Sequence, residues 1–512
     1  MSATVKSLII GGLGLLLALI LGAQVGQSSQ MIPLIITGGC IGVFICVALF
    51  RTVRFEALIL GFLLFGYIVG NRGFAQLALR PGSSLYIGEV GMLACAFLVT
   101  TRRALTREQL IPRTPLAWAI LAFLLIGGVR LYFDAVLINS SDLATTAIRD
   151  SAAVYYAIFF FIAYQIGKHL AGRKFVDRAL FAAFVLLIPV AAVEIWASGL
   201  FDRFAFHGYP IIQHKGDLLT TFLGIGAFYF FLAPSHGLTR IFFWACSLAS
   251  LILMLFPMSR AALFGFIAAA VLLLIARRPQ FILYQVGIAA LALFAITLLE
   301  LADIRIESDL FGKLSDRLAS IVDVSGTGHY HAEIGDASAA NNQFRTVWWK
   351  IVINETMDKN PVFGLGFGYD LSTSFVRTYY SNQQATWDTR SPHSIWVTIL
   401  GRMGIIGALC FTLIIWLVLK NAIRDARAVA RSKADPNLLF NWCAVVTLLC
   451  SAMFGVVLEG PMGGILFWSF LGLAASQSIS TKEVQKAKSS SVEEAPEPKL
   501  PEPAFISRRR SA

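Results

Sequence analysis

The sequence predicts an all-α membrane protein that crosses the bilayer many times and carries one large, partly helical loop outside it. Of the 512 residues, 57% are hydrophobic and only 14% are charged, against roughly 25% charged residues in a soluble domain. The apolar residues come in runs of about 17 to 20, which is long enough to cross a bilayer core as helix. These runs do not alternate with period two, which argues against an outer-membrane barrel.

The apolar runs predict about 14 transmembrane helices. The predicted helices lie near residues 7–23, 32–50, 55–70, 84–100, 116–132, 151–167, 179–197, 218–233, 241–257, 261–276, 281–299, 397–419, 438–457 and 462–476. No convincing small-residue cleavage site follows the first run, so we interpret it as a helix and not as a signal peptide.

Basic residues are distributed unevenly between the two sides of this arrangement. The short segments on the N-terminal side hold 19 Lys and Arg residues, and those on the other side hold 7. The positive-inside rule therefore predicts that both termini lie in the cytoplasm. Membrane topology therefore accounts for the net charge of +12, and no nucleic acid is expected as a partner.

The predicted domain organisation has four parts. Residues 1–299 hold transmembrane helices 1–11, residues 300–393 form a large periplasmic loop, residues 394–476 hold helices 12–14, and residues 477–512 form a disordered cytoplasmic tail. The sequence shows no internal repeat, which weakens a transporter interpretation. The seven cysteines lie inside apolar runs without metal-ligand spacing and are interpreted as core residues.

The predicted loop contains two helical segments. Phe311–Val324 is predicted as a short amphipathic helix, and Asn341 or Asn342 is predicted to cap a second helix at Phe344–Met357. The residues of the second helix that are expected to pack inward are Phe344, Trp348, Ile351 and Val352.

Two motifs follow this second helix. The segment 360–368, Asn-Pro-Val-Phe-Gly-Leu-Gly-Phe-Gly, resembles a dinucleotide fingerprint only superficially, because no strand precedes it and no helix follows closely. His393 then lies where a polar loop enters the membrane, with arginines on both sides. Gly404 and Gly407 are expected to allow close helix packing at the head of the next span.

The order of motifs resembles the O-antigen ligase / O-antigen polymerase superfamily. It runs Asn-Asn-x-x-Arg-x-x-Trp-Trp, Asn-Pro-x-x-Gly-x-Gly-x-Gly, Pro-His-Ser and Gly-x-x-Gly, and Ser259-Arg260 at a helix boundary is similar to the family's Ser-Arg signature. The resemblance covers residues 240–475 closely and the first 240 residues mainly in architecture. Ser394 stands where the family usually has Asn, and Arg402-Met403 replaces an acidic residue, which leaves the acceptor open.

The resemblance implies a GT-C-like glycosyltransferase that needs neither a metal nor another cofactor. It would move a glycan from undecaprenyl diphosphate to an acceptor hydroxyl at the periplasmic face of the cytoplasmic (inner) membrane, with inversion in a single displacement. The acceptor is lipid A core (a ligase), a lipid-linked repeat unit (a polymerase) or a protein hydroxyl, and the absence of an extra soluble module favours the first two slightly. The alternatives are a transporter or flippase for a polysaccharide precursor, and a structural scaffold.

This chemistry predicts the site residues. His393 is the predicted catalytic residue, because its ordinary pKa near neutrality suits a general base. A diphosphate requires permanent, bidentate positive charge. The predicted diphosphate ligands are Arg260 and Arg345, with Lys215, Arg390 and Arg402 as secondary choices. The predicted glycan-binding platforms are Trp349, Trp387, Tyr379 and Tyr380. No metal site is predicted, because the His329-x-His331 pair has no third ligand nearby.

Each of these residue types also has a purely structural interpretation. Arg260 could reach the outer headgroups, Arg345 could pair with Glu355, and His393 could cap a helix. Glu89, near the end of its predicted span, either lines a cavity for the lipid-linked donor or bonds to a neighbouring helix.

Overall fold

The computed structural model of the chain describes residues 54–78, 86–137, 141–206, 209–257, 259–285, 287, 333–379, 390–431 and 436–493. The predicted spans at 7–23 and 32–50, nearly all of the predicted span at 281–299, and the predicted loop helix Phe311–Val324 lie outside the described residues.

The described part of the chain is almost entirely helical. Its helices are α1 (Phe55–Val69), α2 (Asn71–Ala75), α3 (Ile87–Thr106), α4 (Pro115–Leu137), α5 (Ser141–Asp150), α6 (Ala152–Tyr155), α7 (Ile158–Gly167), α8 (Leu170–Ala197), α9 (Gly216–Leu232), α10 (Gly237–Met254), α11 (Arg260–Ile275), α12 (Glu333–Lys359), α13 (Thr373–Tyr379), α14 (Ile395–Ala430), α15 (Pro436–Met453) and α16 (Pro461–Glu493). After α8, a 3₁₀ turn at Ser198–Arg203 leads to two short antiparallel strands, β1 (Ala205–Phe206) and β2 (Tyr209–Pro210).

Within the described residues, five helical segments are long and apolar enough to cross a membrane: Pro115–Ala135, Ala144–Gly167, Leu170–Ala197, Gly237–Met254 and Ile395–Ala430. The same part of the chain holds four shorter apolar helices: Phe55–Val69, Gly216–Leu232, Arg260–Ile275 and Asn437–Met453. The chain is therefore an all-α membrane protein, as predicted, and the number of 14 spans stays a prediction.

Two predicted boundaries differ from the structure. Helix α12 begins at Glu333, so Asn341 and Asn342 lie inside it and the prediction of an N-cap there is wrong. The preceding run Ala337-Ser-Ala-Ala favours helix, and an Asn in a helix interior costs less than about 1 kcal/mol relative to Ala. Helix α16 continues to Glu493, past the predicted boundary at 476.

The central helices pack through apolar side chains. Helix α16 packs against α7, α15 packs against α11, α9 and α16, α8 packs against α1, and α14 packs against α4. Trp442 on α15 and Trp468 on α16 are fully buried in this core. A helix with apolar residues on all sides is typical of a buried or membrane-spanning position.

A smaller apolar cluster holds α12 against α13 and the start of α14. Trp348 and Val352 are fully buried, and Phe344 and Ile351 pack against them, which confirms the predicted inward face of the helix. The Trp348 ring stacks on Phe375 with centroids 4.8 Å apart, and its indole N–H donates to the Leu371 carbonyl at 2.8 Å.

Helix α14 is broken near its beginning. Gly404 has φ +64° and ψ −162°, a conformation that is essentially restricted to glycine. The backbone groups freed by the break pair with the segment 361–366: Ile405 N donates to Pro361 O at 2.9 Å, and Leu365 N donates to Gly401 O at 2.6 Å. The break is therefore stabilised by backbone pairing with the glycine-rich segment.

The glycines of both motifs allow this close approach. A Cβ at Gly364 would lie 2.5 Å from Gly404 N, and a Cβ at Gly404 would collide with the Val362 carbonyl oxygen. Gly404 thus breaks the helix, whereas the sequence predicted that it allows close helix packing. At Gly407 a Cβ would collide with Met403 of the same helix.

We expect Gly404→Ala to lower the melting temperature of the purified protein sharply, or to abolish folded yield. The backbone conformation alone costs about 1–3 kcal/mol for a residue with a Cβ, and the collision with Val362 adds to it. Gly128→Ala is the matched control, because a Cβ there meets nothing within 4 Å; it should melt at or slightly above the wild-type temperature. Equal melting temperatures for the two variants would contradict the assignment of the break.

Candidate functional site

Four of the described helices begin close together at one end of the bundle. Ser259 N, just before α11, donates to Thr220 Oγ1 in the first turn of α9 at 3.3 Å. Thr398 in the first turn of α14 donates to Glu459 Oε1, just before α16, at 2.9 Å. Because each helix N-terminus carries partial positive charge from its free N–H groups, this end of the bundle favours an anion.

His393 lies in this region, one residue before the N-cap of α14. Its φ of +55° places the backbone in the left-handed region, which is uncommon for a residue with a side chain. The turn is held by Ser391 Oγ, which accepts from His393 N at 3.3 Å, and by Pro392 O, which accepts from Trp349 Nε1 at 2.6 Å. The imidazole packs edge-on against Trp348 with centroids 5.7 Å apart.

The surroundings of His393 disfavour a charged imidazole. Burial, and to a smaller extent the positive charges of Arg345 and Lys215, together lower its pKa from 6.5 to about 4. The histidine is therefore neutral near pH 7. Its Nδ1 atom is buried and, among the described residues, has no hydrogen-bond partner, so this nitrogen is available to a bound molecule.

Arg345 projects from α12 towards the same region. Burial and the nearby charge of Arg260 lower its pKa, which Asp217 raises, and the net result is a pKa of about 10. Its Nε is buried and has no hydrogen-bond partner among the described residues. The alternative pairing with Glu355 is not observed, because Glu355 Oε1 accepts from Lys359 Nζ at 2.7 Å.

Lys215 and Arg260 complete the positive cluster from two further helices. Lys215 immediately precedes α9, and its Nζ lies 3.4 Å from Asp217 Oδ2. Arg260 is the first residue of α11, and its charge acts on Arg345. The structure therefore brings together three of the predicted diphosphate ligands beside the predicted catalytic histidine, although these residues are far apart in the sequence.

Glu459 is an acidic member of this site that the sequence analysis missed. It lies between α15 and α16, where burial raises its pKa, while hydrogen bonds from Ser391 and Thr398 and the charges of Arg402 and Lys215 oppose that shift. Since Ser391 also accepts from His393 N, the carboxyl group supports the turn that carries the histidine. The sequence signal that could have identified Glu459 is its position as a lone acidic residue in a short segment between two apolar runs.

The other two predicted diphosphate ligands have intramolecular partners. Arg402 is almost fully buried, and its Nη1 donates to Asp150 Oδ2 at 2.7 Å and to Tyr369 O at 3.3 Å. Arg390 Nη2 lies 3.4 Å from the same carboxylate oxygen and donates to Gly368 O. These contacts give both arginines a structural role around the glycine-rich segment.

Asp150 and Asp134 organise that segment. Gly368 N donates to Asp150 Oδ2 at 3.1 Å, and Phe367 N donates to Asp134 Oδ2 at 2.7 Å. Asp134 also accepts from Arg130 Nε at 3.0 Å. Two carboxylates from α4 and α5 thus fix the glycine-rich segment against the core, a role that the sequence did not reveal.

The predicted glycan platforms are only partly described. Trp349 is half-buried, and its indole N–H supports the histidine turn; its ring lies 6.3 Å from that of Phe454. Tyr379 is 42% exposed and stacks on Phe375 with centroids 5.2 Å apart. Trp387 and Tyr380 lie outside the described residues.

Glu89 bonds to neighbouring residues. It lies in the first turn of α3, accepts from Tyr86 N at 3.2 Å, and binds the hydroxyls of Tyr155 and Tyr156. This geometry favours the structural alternative for Glu89. Within the described ranges, no group of three or more His, Cys, Asp or Glu side chains is placed to hold a metal ion.

Fold and site define a membrane-embedded, all-helical protein with a cluster of cations around a histidine at one end of the bundle. A family model described as O-antigen ligase matches residues 245–412, which confirms the resemblance to the O-antigen ligase and polymerase superfamily, a class of glycan-transferring membrane enzymes. The matched region contains Arg260, Arg345 and His393, whereas Lys215 and Glu459 lie outside it. No curated protein gives a significant match to the chain.

The electrostatic environment of His393 can be measured by NMR titration of histidine-labelled protein in detergent, with His393→Gln to assign its signal among the seven histidines. We expect a pKa of about 4 in the wild type. Arg345→Gln should raise this pKa by removing a positive charge, but not to 6.5, because burial is the larger cause of the shift. An unshifted wild-type pKa near 6.5 would contradict the described environment.

Proposed function

We propose that the chain transfers a glycan from undecaprenyl diphosphate to an acceptor hydroxyl at the periplasmic face of the cytoplasmic membrane. The observation that carries this proposal is the collection of Arg345, Arg260 and Lys215 around a neutral His393, at the helix N-termini at one end of the bundle. The proposal includes the predicted topology of about 14 spans, with cytoplasmic termini and residues 300–393 outside.

The cations suit the diphosphate of the donor. Arginine keeps its charge and offers planar, paired N–H donors to phosphate oxygens, while lysine acts as a compact charge. Among the charges that shift the pKa of Arg345, Asp217 is the one carboxylate, and it raises that pKa. A bound diphosphate would add negative charge beside Arg345, whose buried Nε has no hydrogen-bond partner among the described residues, with its polyprenyl chain in the bilayer.

His393 suits removal of the acceptor proton. When an anionic donor offsets the charges of Arg345 and Lys215, the pKa of His393 rises from about 4 towards neutrality, where a general base works best. The acceptor oxygen then bonds to the anomeric carbon, the bond from that carbon to the diphosphate oxygen breaks, and the hydroxyl proton passes to His393. The diphosphate leaves with the electron pair, stabilised by cations already in position.

Attack opposite the leaving group inverts the anomeric centre. The three cations provide the charge stabilisation that the leaving group requires, so the proposal includes no metal. The acceptor class within the proposal is a lipid A core (a ligase) or a lipid-linked repeat unit (a polymerase).

Glycan transfer in membranes at matched expression tests the proposal. We expect His393→Ala and Arg345→Ala to lose transfer by about 10²–10⁴-fold, the range typical of a removed general base or of a lost electrostatic stabiliser, and Arg260→Ala to fall in the same direction. Accumulated carrier-linked glycan should consist of long chains for a ligase and of single repeat units for a polymerase.

Lys350→Ala is the matched control, because Lys350 is an exposed cation on the same helix as Arg345. It should retain wild-type transfer. If the His393 and Arg345 variants insert normally and also transfer at the wild-type rate, this site is not the transferase site and a transporter or scaffold function takes precedence.

A further inference from the structure

A buried acid–histidine pair lies directly behind Lys215. The His214 side chain is fully buried, and its Nδ1 lies 2.6 Å from Glu194 Oε2 at the end of α8. The other carboxylate oxygen, Glu194 Oε1, accepts from His214 N at 2.6 Å. A single carboxylate therefore binds both the ring and the backbone of this histidine.

The second ring nitrogen also faces an acceptor. His214 Nε2 lies 3.0 Å from the Ile68 carbonyl oxygen near the end of α1. The Glu194 carboxylate and the Ile68 carbonyl therefore hold the imidazole ring from its two sides.

The backbone around Lys215 is fixed on both sides of this pair. Lys215 N donates to Asn71 Oδ1 at 3.2 Å, and Gln213 N donates to Gly70 O at 3.2 Å. Lys215 O accepts from Leu218 N and Leu219 N in the first turn of α9. With the main chain held in this way, the Lys215 ammonium is directed towards His393 and Glu459, on which its charge acts.

We propose that Glu194 and His214 are positioning residues that hold Lys215 in place for the diphosphate of the donor. The inference rests on the proposed function, since it concerns a ligand of the proposed site. Neither residue touches the substrate, and both act through Lys215. Lys215 contacts the diphosphate before and during transfer, so loss of its position weakens donor binding more than it slows the chemical step.

The test compares donor KM and kcat for full-length wild type, Lys215→Met, Glu194→Gln and the double variant, in the membrane transfer assay. We expect Lys215→Met and Glu194→Gln each to raise donor KM by about 10-fold, the effect of one lost interaction, with kcat changed less than about 3-fold. The double variant should show the KM of Lys215→Met alone, because Glu194 has no further effect once the ammonium is gone.

His214→Gln gives a second measurement that a merely structural role would not change. It should also raise donor KM with little change in kcat, and this increase should vanish in the Lys215→Met background. This variant also decides the matter if Glu194→Gln does not fold. Asp425→Asn is the matched control, because it also removes a buried carboxylate that accepts a hydrogen bond. The donor of that bond is Nε1 of Trp442 on α15, at 3.1 Å. This variant should leave donor KM unchanged.

The outcomes separate this inference from the proposed function. If Lys215→Met raises donor KM but Glu194→Gln does not, or if the two effects multiply in the double variant, the positioning role is overturned and the site remains. If Lys215→Met leaves donor KM unchanged, Lys215 is not a donor ligand and the inference fails. Arg345→Ala then decides the proposed function separately.

Discussion

The break in α14 at Gly404 is the constraint on which the rest of the site depends. Backbone groups on both sides of the break pair with residues 361–366, so the glycine-rich segment and α14 hold each other in place. The short first part of α14 carries His393 at its beginning and Arg402 at its end. Arg402 in turn binds Asp150, which also binds Gly368 N. The histidine is therefore positioned by a chain of contacts that ends in the core.

Positive charge collected in a partly buried place is costly unless something compensates it. Arg345, Arg260 and Lys215 lie near one another, and the charges of Asp217 and of the half-buried Glu459 oppose theirs. The buried Nε of Arg345 and the buried Nδ1 of His393 have no hydrogen-bond partner in the described part of the chain. Folding energy thus maintains an arrangement that a bound anion would stabilise, as expected for a binding site and not for a structural ion-pair network.

The sequence predicted the class, and it pointed to several residues that the structure brings together, because both inferences depend on strong local signals. Hydropathy defined the apolar helices, and the spacing of Trp348 and Val352 predicted the buried face of α12 correctly. The residue types at 260, 345 and 393 pointed to diphosphate chemistry, and the structure brings these positions together. The N-cap at Asn341 failed because a weak capping preference gave way to a helix that starts at Glu333.

What the sequence could not reveal were contacts between distant segments. Three such contacts join distant parts of the chain. They are the hydrogen bonds between Arg402 and Asp150, between Ser391 and Glu459, and between His214 and Glu194. No periodic pattern or short motif records such pairs. The glycines at 364 and 404 were visible as a motif, but their meaning as two halves of one backbone contact required the fold.

Direct binding of the anionic donor tests the central claim, that the helix ends form a diphosphate site. Undecaprenyl diphosphate binding to the full-length protein in nanodiscs would be measured for wild type, Arg345→Gln and Lys350→Gln, with inorganic pyrophosphate as competitor. The account predicts saturable binding that pyrophosphate competes, weakened at least about 10-fold by the loss of one charge-assisted contact in Arg345→Gln and unchanged in Lys350→Gln. Equal affinity in all three proteins, or binding that pyrophosphate does not displace, would contradict it.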